Sequence, residues 1–320
     1  MHAVVLVGGF GTRLRPITNS LPKPLLPLGQ RTILEWLLVH LARGGVTDAV
    51  LALGFKPEPF MQAYPDARCA GVRLSYAIED SPLDTAGAIG FAARSAGLRE
   101  RGEAFVVANG DIVTDLSVGG LVAAHRANVQ HGARATIHLT PVADPSQYGV
   151  VESEAGSGRV RGFLEKPAPG TTASRHVNAG TYVFEPDVLD MLPGDAPLSV
   201  ERVIFPALVE RRALFAHPTD DYWLDAGRPE SYLRANLDLV GGRRRDRDTA
   251  VHATATIASD ATVHDSLVGA RAVIEAGASV VGSVIFPGAR VGAGARVSGS
   301  SVMGDVAASS TVRDALVGRD

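Results

Sequence analysis

The sequence predicts an α/β domain with a mainly parallel sheet, followed by a small parallel β-helix. From residue 1 to about residue 240, short runs of β-branched residues alternate with longer segments of helical period, which is typical of an α/β domain. After residue 250 the helical period disappears, and aliphatic side chains recur at every seventeenth position, as in Ile257, Ile274 and Val291. We therefore expect two domains, 1–242 and 250–320.

The local patterns of the first domain predict its main elements in order. Apolar runs of four to six residues indicate buried strands, and the amphipathic segments between them indicate helices. The predicted strands are Ala3–Val7, Ala49–Leu53, Leu74–Ala77 and Phe105–Ala108. The predicted helices are Thr32–Arg43, Thr85–Ala96, Leu116–Asn128 and Val200–Arg211.

The two periodic regions are separated by a segment of different composition. Residues 241–248 read Gly-Gly-Arg-Arg-Arg-Asp-Arg-Asp, with no apolar side chain. Glycines followed by dense charge are typical of a loop, so we predict a solvated connector here.

The C-terminal repeat has a period that a helix cannot produce. Its aliphatic positions are separated by steps of six, five and six residues, which fits a three-sided coil with one inward side chain per face. A short β-helix leaves sheet edges and apolar side surfaces, so we expect it to form a homo-oligomer and to serve assembly rather than chemistry. The repeating residues are Ile257, Val263 and Val268, then Ile274, Val280 and Ile285, then Val291, Val297 and Val302, with serines at 266, 283 and 300.

Composition narrows the partners. With 31 basic and 34 acidic residues, the net charge of −3 gives no reason to expect nucleic acid or an anionic membrane as a partner. Cys69 is the only cysteine, so the chain has no intramolecular disulfide, and we interpret Cys69 as a structural thiol. No apolar run reaches the length of a membrane span, and the N-terminus has no signal-type segment, so we expect a cytoplasmic protein.

A glycine-rich loop directly follows the first predicted strand. Gly8, Gly9 and Gly11 allow a sharp turn and a close approach of backbone amides to a ligand, because a Cβ would block both. Arg13 and Lys23 add the cations that a triphosphate requires. A P-loop would end in Gly-Lys-Ser/Thr, and a dinucleotide fingerprint would have a third glycine where this chain has a leucine, so neither motif fits.

An acidic residue follows the fourth predicted strand. Ligands of open α/β sheets bind at the carboxyl ends of the strands, so Asp111 after Phe105–Ala108 is placed to hold Mg²⁺. The pair Gly110-Asp111 also suits a simple turn, and the strand pattern alone does not choose between the two roles.

The string Gly-Gly-x-Gly-Thr-Arg-Leu-x-Pro with a following Pro-Lys-Pro resembles the signature of the sugar-1-phosphate nucleotidylyltransferases. The resemblance extends from the N-terminus to about residue 240 and is closest to the mannose-1-phosphate guanylyltransferase branch. It implies a Rossmann-like nucleotide-diphospho-sugar transferase domain, and the repeat resembles the left-handed hexapeptide β-helices that several members carry. It also implies that Asp111 is a metal ligand, together with Asp225 in Asp-Ala-Gly-Arg-Pro, where the family usually has threonine in place of Arg228.

The resemblance implies further site residues. Glu165 and Lys166 match a Glu-Lys-Pro motif that binds the sugar phosphate, and Asn178 and Gly180 match an Asn-x-Gly strand in the same pocket, with Gly149 as another close-approach glycine. The signature supplies the nucleotide-binding residues Gly8, Gly9, Gly11, Thr12 and Arg13. Residues 76–87 resemble the family's nucleobase segment, here called the base segment, and supply Glu79 and Asp84.

The base segment favours guanine. Guanine presents two adjacent N–H donors, and the carboxylate of Glu79 can accept both. Asp84 stands where the guanylyl-transferring branch has glycine, so either a second acid faces the base or sugar, or the loop takes another path.

The implied reaction is transfer of a nucleoside monophosphate from an NTP, with GTP favoured, to a sugar 1-phosphate, with mannose 1-phosphate favoured, using Mg²⁺. Arg13 would hold the leaving pyrophosphate, Lys23 the transferred phosphoryl group and Lys166 the attacking phosphate. The alternatives are thymidylyl or uridylyl transfer to glucose 1-phosphate, guanylyl transfer to a heptose or cyclitol phosphate, an additional acetyltransferase activity in the β-helix, and a catalytically silent regulatory subunit.

Overall fold

A computed structural model describes residues 1–9, 11–54 and 57–319. The chain forms two compact units that are interleaved in sequence: Met1–Gly9 with Leu37–Trp223, and Phe10–Trp36 with Leu224–Asp320. The segment that follows the first glycines thus folds with the C-terminal part of the chain. The boundaries of these two units do not coincide with the predicted domains 1–242 and 250–320, so that division stays a prediction.

The strands that precede the C-terminal coils are short and mostly buried. In chain order they are β1 (His2–Leu6), β2 (Pro27–Leu28), β3 (Arg31–Thr32), β4 (Asp48–Leu53), β5 (Arg68–Cys69), β6 (Val72–Ile78), β7 (Phe105–Asn109), β8 (Ile112–Thr114), β9 (Ala135–Pro141), β10 (Gly149–Ser153), β11 (Val160–Glu165), β12 (His176–Phe184), β13 (Leu214–Pro218) and β14 (Trp223–Asp225).

The helices alternate with these strands. They are α1 (Ile33–Arg43), α2 (Glu58–Ala63), α3 (Asp84–Ser95), α4 (Leu98–Arg101), α5 (Val118–Val129), α6 (Phe205–Glu210) and α7 (Pro229–Val240). Short 3₁₀ segments cover Thr12–Leu14, Lys23–Leu25 and Pro186–Met191, and a π-helical turn covers Val200–Ile204.

The first unit is built on one large sheet. Among the described residues ten strands join it, with the order β11-β10-β12-β7-β1-β4-β6-β5 and with β9 and β13 continuing from β12. The four central strands β7, β1, β4 and β6 are parallel to one another, whereas β12 runs antiparallel to β7. The carboxyl ends of β1 and β7 therefore lie side by side, which is where the sequence places the glycine loop and Asp111.

The predicted elements of this unit are confirmed to within about two residues at most ends. Their apolar runs are long enough to be buried on both faces: Val4, Val5, Val106 and Val107 are 0% exposed. The predicted helix Val200–Arg211 differs in its first turn, which is π-helical through Ile204 before α6 begins.

The C-terminal residues form parallel coils, as the sequence repeat predicts. Thr256–Ile257 pairs with Val273–Ile274, and Thr262–His264 pairs with Ser279–Val281, so each strand pairs with its equivalent in the next repeat. The three faces consist of β15 (Thr256–Ile257), β18 (Val273–Ile274) and β21 (Arg290–Val291); of β16 (Thr262–His264), β19 (Ser279–Val281), β22 (Arg296–Ser298) and β24 (Thr311–Arg313); and of β17 (Leu267–Val268), β20 (Val284–Ile285), β23 (Ser301–Val302) and β25 (Leu316–Val317).

The last coil is shorter than the others. Arg296 pairs with Thr311 and Ser301 with Leu316, so the step between paired residues is shorter by two than in the preceding coils. After Ala307 the sequence keeps its 17-residue period only loosely. The reason is that the last coil still stacks in parallel but contains fewer residues.

The repeated serines form a buried ladder inside the coils. The Oγ of Ser283 donates to the carbonyl of Val281 (2.8 Å) and accepts the amide of Ser300 (3.1 Å). The Oγ of Ser266 does the same for the amide of Ser283 (3.1 Å). One hydroxyl per coil thus satisfies a donor of the next coil, which explains why serine recurs at these buried positions.

The prediction of a solvated connector over residues 241–248 is confirmed for the exposed residues Gly241, Arg243, Arg245 and Arg247 but is wrong for Arg244. Arg244 is only 4% exposed, and its guanidinium carbon lies 5.9 Å from the ring centroid of Trp36. Arg243 pairs with the buried Asp238 (2.8 Å), and Asp248 accepts the amide of Gln30 (2.7 Å). Arginine buries its stem and stacks on aromatic faces, so the connector is packed at Arg244 and exposed at its other arginines.

No helix in the described part of the chain combines the length and the apolar character needed to cross a membrane.

Candidate active site

In the first unit, β1 and β7 end next to each other at a crowded turn. The amide of Gly110 donates to the carbonyl of Leu6 (2.8 Å), and a Cβ on Gly110 would lie 2.5 Å from the Val7 Cγ1. Glycine is therefore required for Asp111 to follow β7 this closely beside β1. Asp111 is half-buried at this carboxyl end of the parallel strands, as the sequence predicts.

The glycine loop also begins at this end of the sheet. A Cβ on Gly8 would lie 3.1 Å from the amide nitrogen of Gly54, so the loop runs close to the end of β4. A Cβ on Gly9 would meet no described atom within 4 Å. Gly8 thus serves close backbone packing, while the space beside Gly9 is compatible with a ligand. Phe10, the next signature residue, lies outside the described residues.

Glu79, the predicted base-binding residue, is buried just after β6. Its side chain is 8% exposed, and its Oε2 accepts the amide of Leu83 (3.0 Å). Burial raises the pKa of the Glu79 carboxyl above its ordinary value, and the Leu83 amide opposes this rise. A carboxylate has about four acceptor positions, so one bond to the backbone leaves capacity for a ligand.

Asp84 has a backbone conformation that glycine adopts readily. Its φ is +54°, in the left-handed region, and its Oδ1 accepts the amide of Thr85 (2.7 Å) at the start of α3. Aspartate tolerates this conformation better than most residues because its short side chain bonds locally. A glycine would adopt this turn without strain, and Asp84 places an exposed carboxylate on it.

A hydrogen-bond network that the sequence does not predict stabilises the start of α3. Glu201 Oε2 accepts the hydroxyls of Thr85 (2.8 Å) and Ser199 (2.9 Å), and Thr85 Oγ1 accepts the amide of Val200 (2.8 Å). Ser199-Val200-Glu201 is visible as a string in the sequence, but nothing local connects it to Thr85, which lies far away in the chain.

Lys166, predicted to bind the sugar phosphate, lies on strained backbone. Its φ is +47°, and its amide donates to the carbonyl of Tyr148 (3.0 Å). Its Nζ lies 3.3 Å from Glu165 Oε1, and 60% of its side chain is exposed. A lysine rarely adopts this conformation, and residues held in such conformations cluster at functional sites.

Gly149 is required for contact with the same motif. A Cβ there would lie 2.5 Å from Phe163 Cζ and 3.0 Å from Glu165 Oε2. The absence of a side chain at Gly149 therefore leaves room for the carboxylate of Glu165 beside β10.

Asn178 and Gly180 lie at an irregularity in β12, between the residues that pair with β9. The Oδ1 of Asn178 accepts the amide of Gly180 (2.9 Å), and its Nδ2 donates to the hydroxyl of Tyr182 (2.9 Å). Gly180 has φ +79°, and a Cβ would lie 2.8 Å from Asn109 Nδ2. Gly180 thus lies against the strand that leads to Asp111, so the structure brings the predicted sugar strand next to the predicted metal strand.

Two aromatic residues that were not predicted border this region. The Nε1 of Trp223 donates to the carbonyl of Ala179 (2.9 Å), and the rings of Trp223 and Tyr148 meet edge to face at 5.5 Å. Their positions immediately before Gly149 and shortly before Asp225 are the only sequence signal for them.

In the second unit, the signature segment turns back on itself. Gly11 has φ +59° and precedes the 3₁₀ turn that carries Thr12 and Arg13, both exposed. A Cβ on Gly11 would lie 3.1 Å from Thr18 Cγ2 and 3.3 Å from Lys23 Cβ. Glycine is needed here for both conformation and space.

Lys23 and Asp225, far apart in sequence, form an ion pair in this unit. Lys23 Nζ lies 3.5 Å from Asp225 Oδ1, and the Lys23 side chain is 7% exposed whereas that of Asp225 is 33% exposed. The amide of Gly227 also donates to Asp225 Oδ1 (2.9 Å). A Cβ on Gly227 would lie 2.9 Å from Asp225 Oδ1 and 3.2 Å from Lys23 Nζ, which explains the glycine of the Asp-x-Gly motif.

Arg228, the departure from the usual threonine, occupies the residue before α7. Its amide donates to Ser231 Oγ (3.2 Å), and Pro229 takes the first helical position. Ser231 and the proline thus start the helix without a side-chain cap at 228. Arg228 itself is exposed, and the amide of Gly227 closes the turn that holds Asp225.

The carboxylates of the two units suit a hard cation. Within the described ranges, no group of three or more His, Cys, Asp or Glu residues forms a metal cage. Mg²⁺ is commonly held by one or two carboxylates together with substrate phosphates and water, so single carboxylates such as Asp111 and Asp225 fit that ion.

Comparisons with known proteins agree with these features. Residues 2–241 match the nucleotidyl transferase family, and residues 240–317 match a GlmU-like C-terminal hexapeptide family. The mannose-1-phosphate guanyltransferase of Schizosaccharomyces pombe is 36% identical over 83% of this chain and 72% of its own length. For the mannose-1-phosphate guanylyltransferase catalytic subunit beta of Dictyostelium discoideum, identity is 37% over 73% of this chain, but the match spans only 63% of that relative.

Solved structures show the same fold. HddC from Yersinia pseudotuberculosis complexed with GMP-PN has a TM-score of 0.59 and 25% identity, covering 73% of this chain and 97% of its own. This chain matches one family continuously from residue 2 to residue 241. That range contains the signature glycines, the strand-end aspartate and the Lys23–Asp225 pair. This chain belongs to the nucleotidyl transferase family and is a sugar-1-phosphate nucleotidylyltransferase.

Proposed function

We propose that this enzyme transfers GMP from GTP to mannose 1-phosphate and releases pyrophosphate. The observation that carries the choice of base is Glu79, an 8% exposed carboxylate after β6 with acceptor capacity beyond its bond to Leu83. The nucleotide in the HddC structure and the names of the guanylyltransferase relatives support the same base, and the names support the same sugar.

The reaction needs no protein nucleophile. A phosphate oxygen of the sugar 1-phosphate attacks the α-phosphorus of the nucleotide, a new P–O bond forms, and the bond to the bridging oxygen of pyrophosphate breaks. Catalysis then consists of aligning two polyanions and neutralising the charge that moves to the leaving group.

In the first unit, the proposed roles concern the sugar phosphate and the base. The Nζ of Lys166, largely exposed beside Glu165, would hold the attacking phosphate, and Glu165 would accept from sugar hydroxyls. Asn178 and Gly180 would border the sugar next to Asn109, where only a glycine leaves space.

In the second unit, the proposed roles concern the triphosphate. The exposed Arg13 would bind the leaving pyrophosphate, and Lys23, held at 3.5 Å by Asp225, would stabilise the transferred phosphoryl group. The amides of Gly11 and Thr12 would face phosphate oxygens.

Asp111 and Asp225 are the carboxylates that we propose for Mg²⁺. When bound, Mg²⁺ would supply positive charge to the phosphate oxygens of both substrates. The residues that would hold it are set by the turn after Gly110 and by the turn that Gly227 closes.

The repeat also supports a proposal about assembly. We propose that the enzyme is a homo-oligomer joined through the β-helix, because Val251 (40%) and Val281 (42%) are large exposed apolar residues on this short structure. The molar mass in solution tests this directly.

A release assay for pyrophosphate with four NTPs and a panel of sugar 1-phosphates tests the function. We expect GTP and mannose 1-phosphate to give the highest kcat/KM. A preference for UTP or dTTP would show that the base assignment is wrong. A preference for another sugar phosphate or for a cyclitol phosphate would show that the acceptor assignment is wrong. No turnover with any pair of substrates would indicate a regulatory subunit.

A pair of neighbouring variants tests the base contact itself. Glu79→Gln should lower kcat/KM for GTP by about 10-fold or more, since a hydrogen bond to a charged group contributes about 1.5–3 kcal/mol. Asp80→Asn is the matched control, because Asp80 is the adjacent acid and is exposed. An equal loss for all NTPs would contradict a role in base selection.

A further inference from the structure

One corner of the β-helix is formed by equivalent residues of successive coils. Val268, Ile285, Val302 and Val317 pair in register, so the residues that follow them, Gly269, Phe286, Met303 and Gly318, form a column. Backbone bonds join the column: the amide of Phe286 donates to Val302 (2.8 Å), and that of Met303 donates to Val317 (2.8 Å). We name this column the corner column.

The first coil contacts the segment Phe10–Trp36 near its end, and the second coil is linked to that segment through Tyr232 in α7. The Nε2 of Gln30 donates to the carbonyl of Val268 (3.2 Å), directly before Gly269. At the next coil, the ring of Phe286 lies 6.1 Å from that of Tyr232 in α7, and the Tyr232 hydroxyl donates to the carbonyl of Pro27 (2.5 Å).

The last two coils contact the same segment nearer to its beginning. The hydroxyl of Ser20 donates to Met303 Sδ (3.7 Å). At the final coil the backbone of Gly318 lies so close to Pro16 that a Cβ on Gly318 would be 2.8 Å from Pro16 Cβ. The segment thus runs along the corner column, with direct contacts at Gln30, Ser20 and Pro16 and a contact through Tyr232 at Pro27.

The final coil is itself held in place. The position of a Cβ on Gly304 is filled by the carbonyl of Gly318, and the Nη2 of Arg319 donates to the carbonyl of Pro287 (3.0 Å) one coil earlier. Gly318 is therefore packed between its own β-helix and Pro16.

We propose that the corner column positions the phosphate-handling segment, with Gly318 and Met303 as positioning residues for nucleotidyl transfer. Lys23 lies between the contacts at Ser20 and Pro27, and Arg13 lies shortly before the contact at Pro16. The inference rests on the family reaction and not on GTP or mannose. It revises the expectation from the sequence that the repeat serves assembly and not chemistry.

The proposal predicts a selective kinetic effect of one added methyl group. In Gly318→Ala the new Cβ would displace Pro16 and the turn that carries Arg13, so KM for the NTP should rise about 10-fold, because small displacements of binding groups are costly. The KM for the sugar 1-phosphate should stay within about twofold, because Lys166 and Glu165 belong to the other unit.

The matched control is Gly119→Ala in α5. Its new Cβ would lie 3.9 Å from Gly44 Cα, which is ordinary contact, so both KM values should match the wild type. A rise in the KM for the NTP in both variants, or an equal change in both KM values of Gly318→Ala, would overturn the proposal.

A second measurement needs no substrate and separates this proposal from the proposed function. Hydrogen exchange of the full-length proteins should be faster in Gly318→Ala than in the wild type at the amides of Leu14 and Thr18, which bond to Gly11 and Leu14. The amide of Ser283, inside the β-helix ladder, should be unchanged. Unchanged exchange at Leu14 and Thr18 would refute positioning by the corner column, whichever NTP the enzyme prefers.

Discussion

The spacing between Lys23 and Asp225 can be changed without touching either residue. Gly227→Ala would place a Cβ 2.9 Å from Asp225 Oδ1 and 3.2 Å from Lys23 Nζ. Since Gly227 is not among the positive-φ residues, alanine adds no backbone strain there. The substitution therefore crowds Asp225 and Lys23 directly, and we expect it to lower nucleotidyl transfer while the protein stays folded.

The geometry gives the size of the effect. Lengthening the Nζ–Oδ1 separation from 3.5 Å by about 1 Å weakens the attraction by about 1 kcal/mol at an effective dielectric constant of about 20. Solvent screening lowers this value, since the Asp225 side chain is 33% exposed. A displacement of about 1 Å in a positioned group can itself cost up to about 100-fold in rate. We expect kcat/KM to fall between about 5-fold and 100-fold.

The assay is continuous detection of pyrophosphate with saturating Mg²⁺, with thermal unfolding measured on the same samples. Gly119→Ala again serves as the control for a glycine-to-alanine change with ordinary contacts. Wild-type kcat/KM in Gly227→Ala, with Asp225→Asn inactive, would refute the reasoning, because it would show that the carboxylate matters but its spacing to Lys23 does not.

Four further predictions follow from single side chains. Asp111→Asn should abolish pyrophosphate release without unfolding the protein, because the half-buried carboxylate lies at a strand end outside the core; turnover near the wild-type rate at ordinary Mg²⁺ would contradict its role. Ser283→Ala should lower the free energy of unfolding by about 1–3 kcal/mol in chemical denaturation, because it removes the acceptor of a buried amide in the next coil. Burial lowers the pKa of His138 to about 3, so as the pH falls the unfolded chain is protonated at a higher pH than the folded chain. Stability is full above about pH 6.5 and falls by about 1.4 kcal/mol per pH unit as the pH drops towards 3, and His138→Gln should reduce this slope in urea titrations. Val280→Asp should lower the mass of the oligomer in light scattering and destabilise the β-helix, because it buries an unpaired carboxylate. Val281→Asp, at an exposed residue of the proposed interface, should also lower the mass but leave the β-helix folded; a monomeric wild type at micromolar concentration would contradict assembly through the repeat.

The sequence by itself determined the elements and the architecture. Strands such as Phe105–Asn109 are encoded by local apolar runs, and the coils by a strict repeat that the register of Val280 with Val297 reproduces. Each of these signals lies within a short stretch of chain or in successive repeats. The positions of Asp111 after β7 and of the glycine loop after β1 follow from the same local order, because parallel strands bring their carboxyl ends together.

Local patterns also predicted residues whose physical purpose only the structure shows. Asp84 could be recognised as a departure from glycine, but only the structure shows that its φ is +54°, in the region that favours glycine. Gly180 could be recognised from a motif, but the reason for it is the amide of Asn109, whose Nδ2 would lie 2.8 Å from a Cβ.

Only the tertiary structure decided which distant segments fold together. Lys23 pairs with Asp225, Arg244 lies over Trp36, and Gly318 packs on Pro16, although each pair is far apart in the chain. Composition predicted a solvated connector at residues 241–248 because charge density is a local property, whereas stacking and ion pairing depend on what the fold brings near. Strands and coils can be predicted because their apolar residues follow a regular period along the chain. Contacts between distant segments depend on how side chains fit together in three dimensions, and they leave no periodic pattern in the sequence.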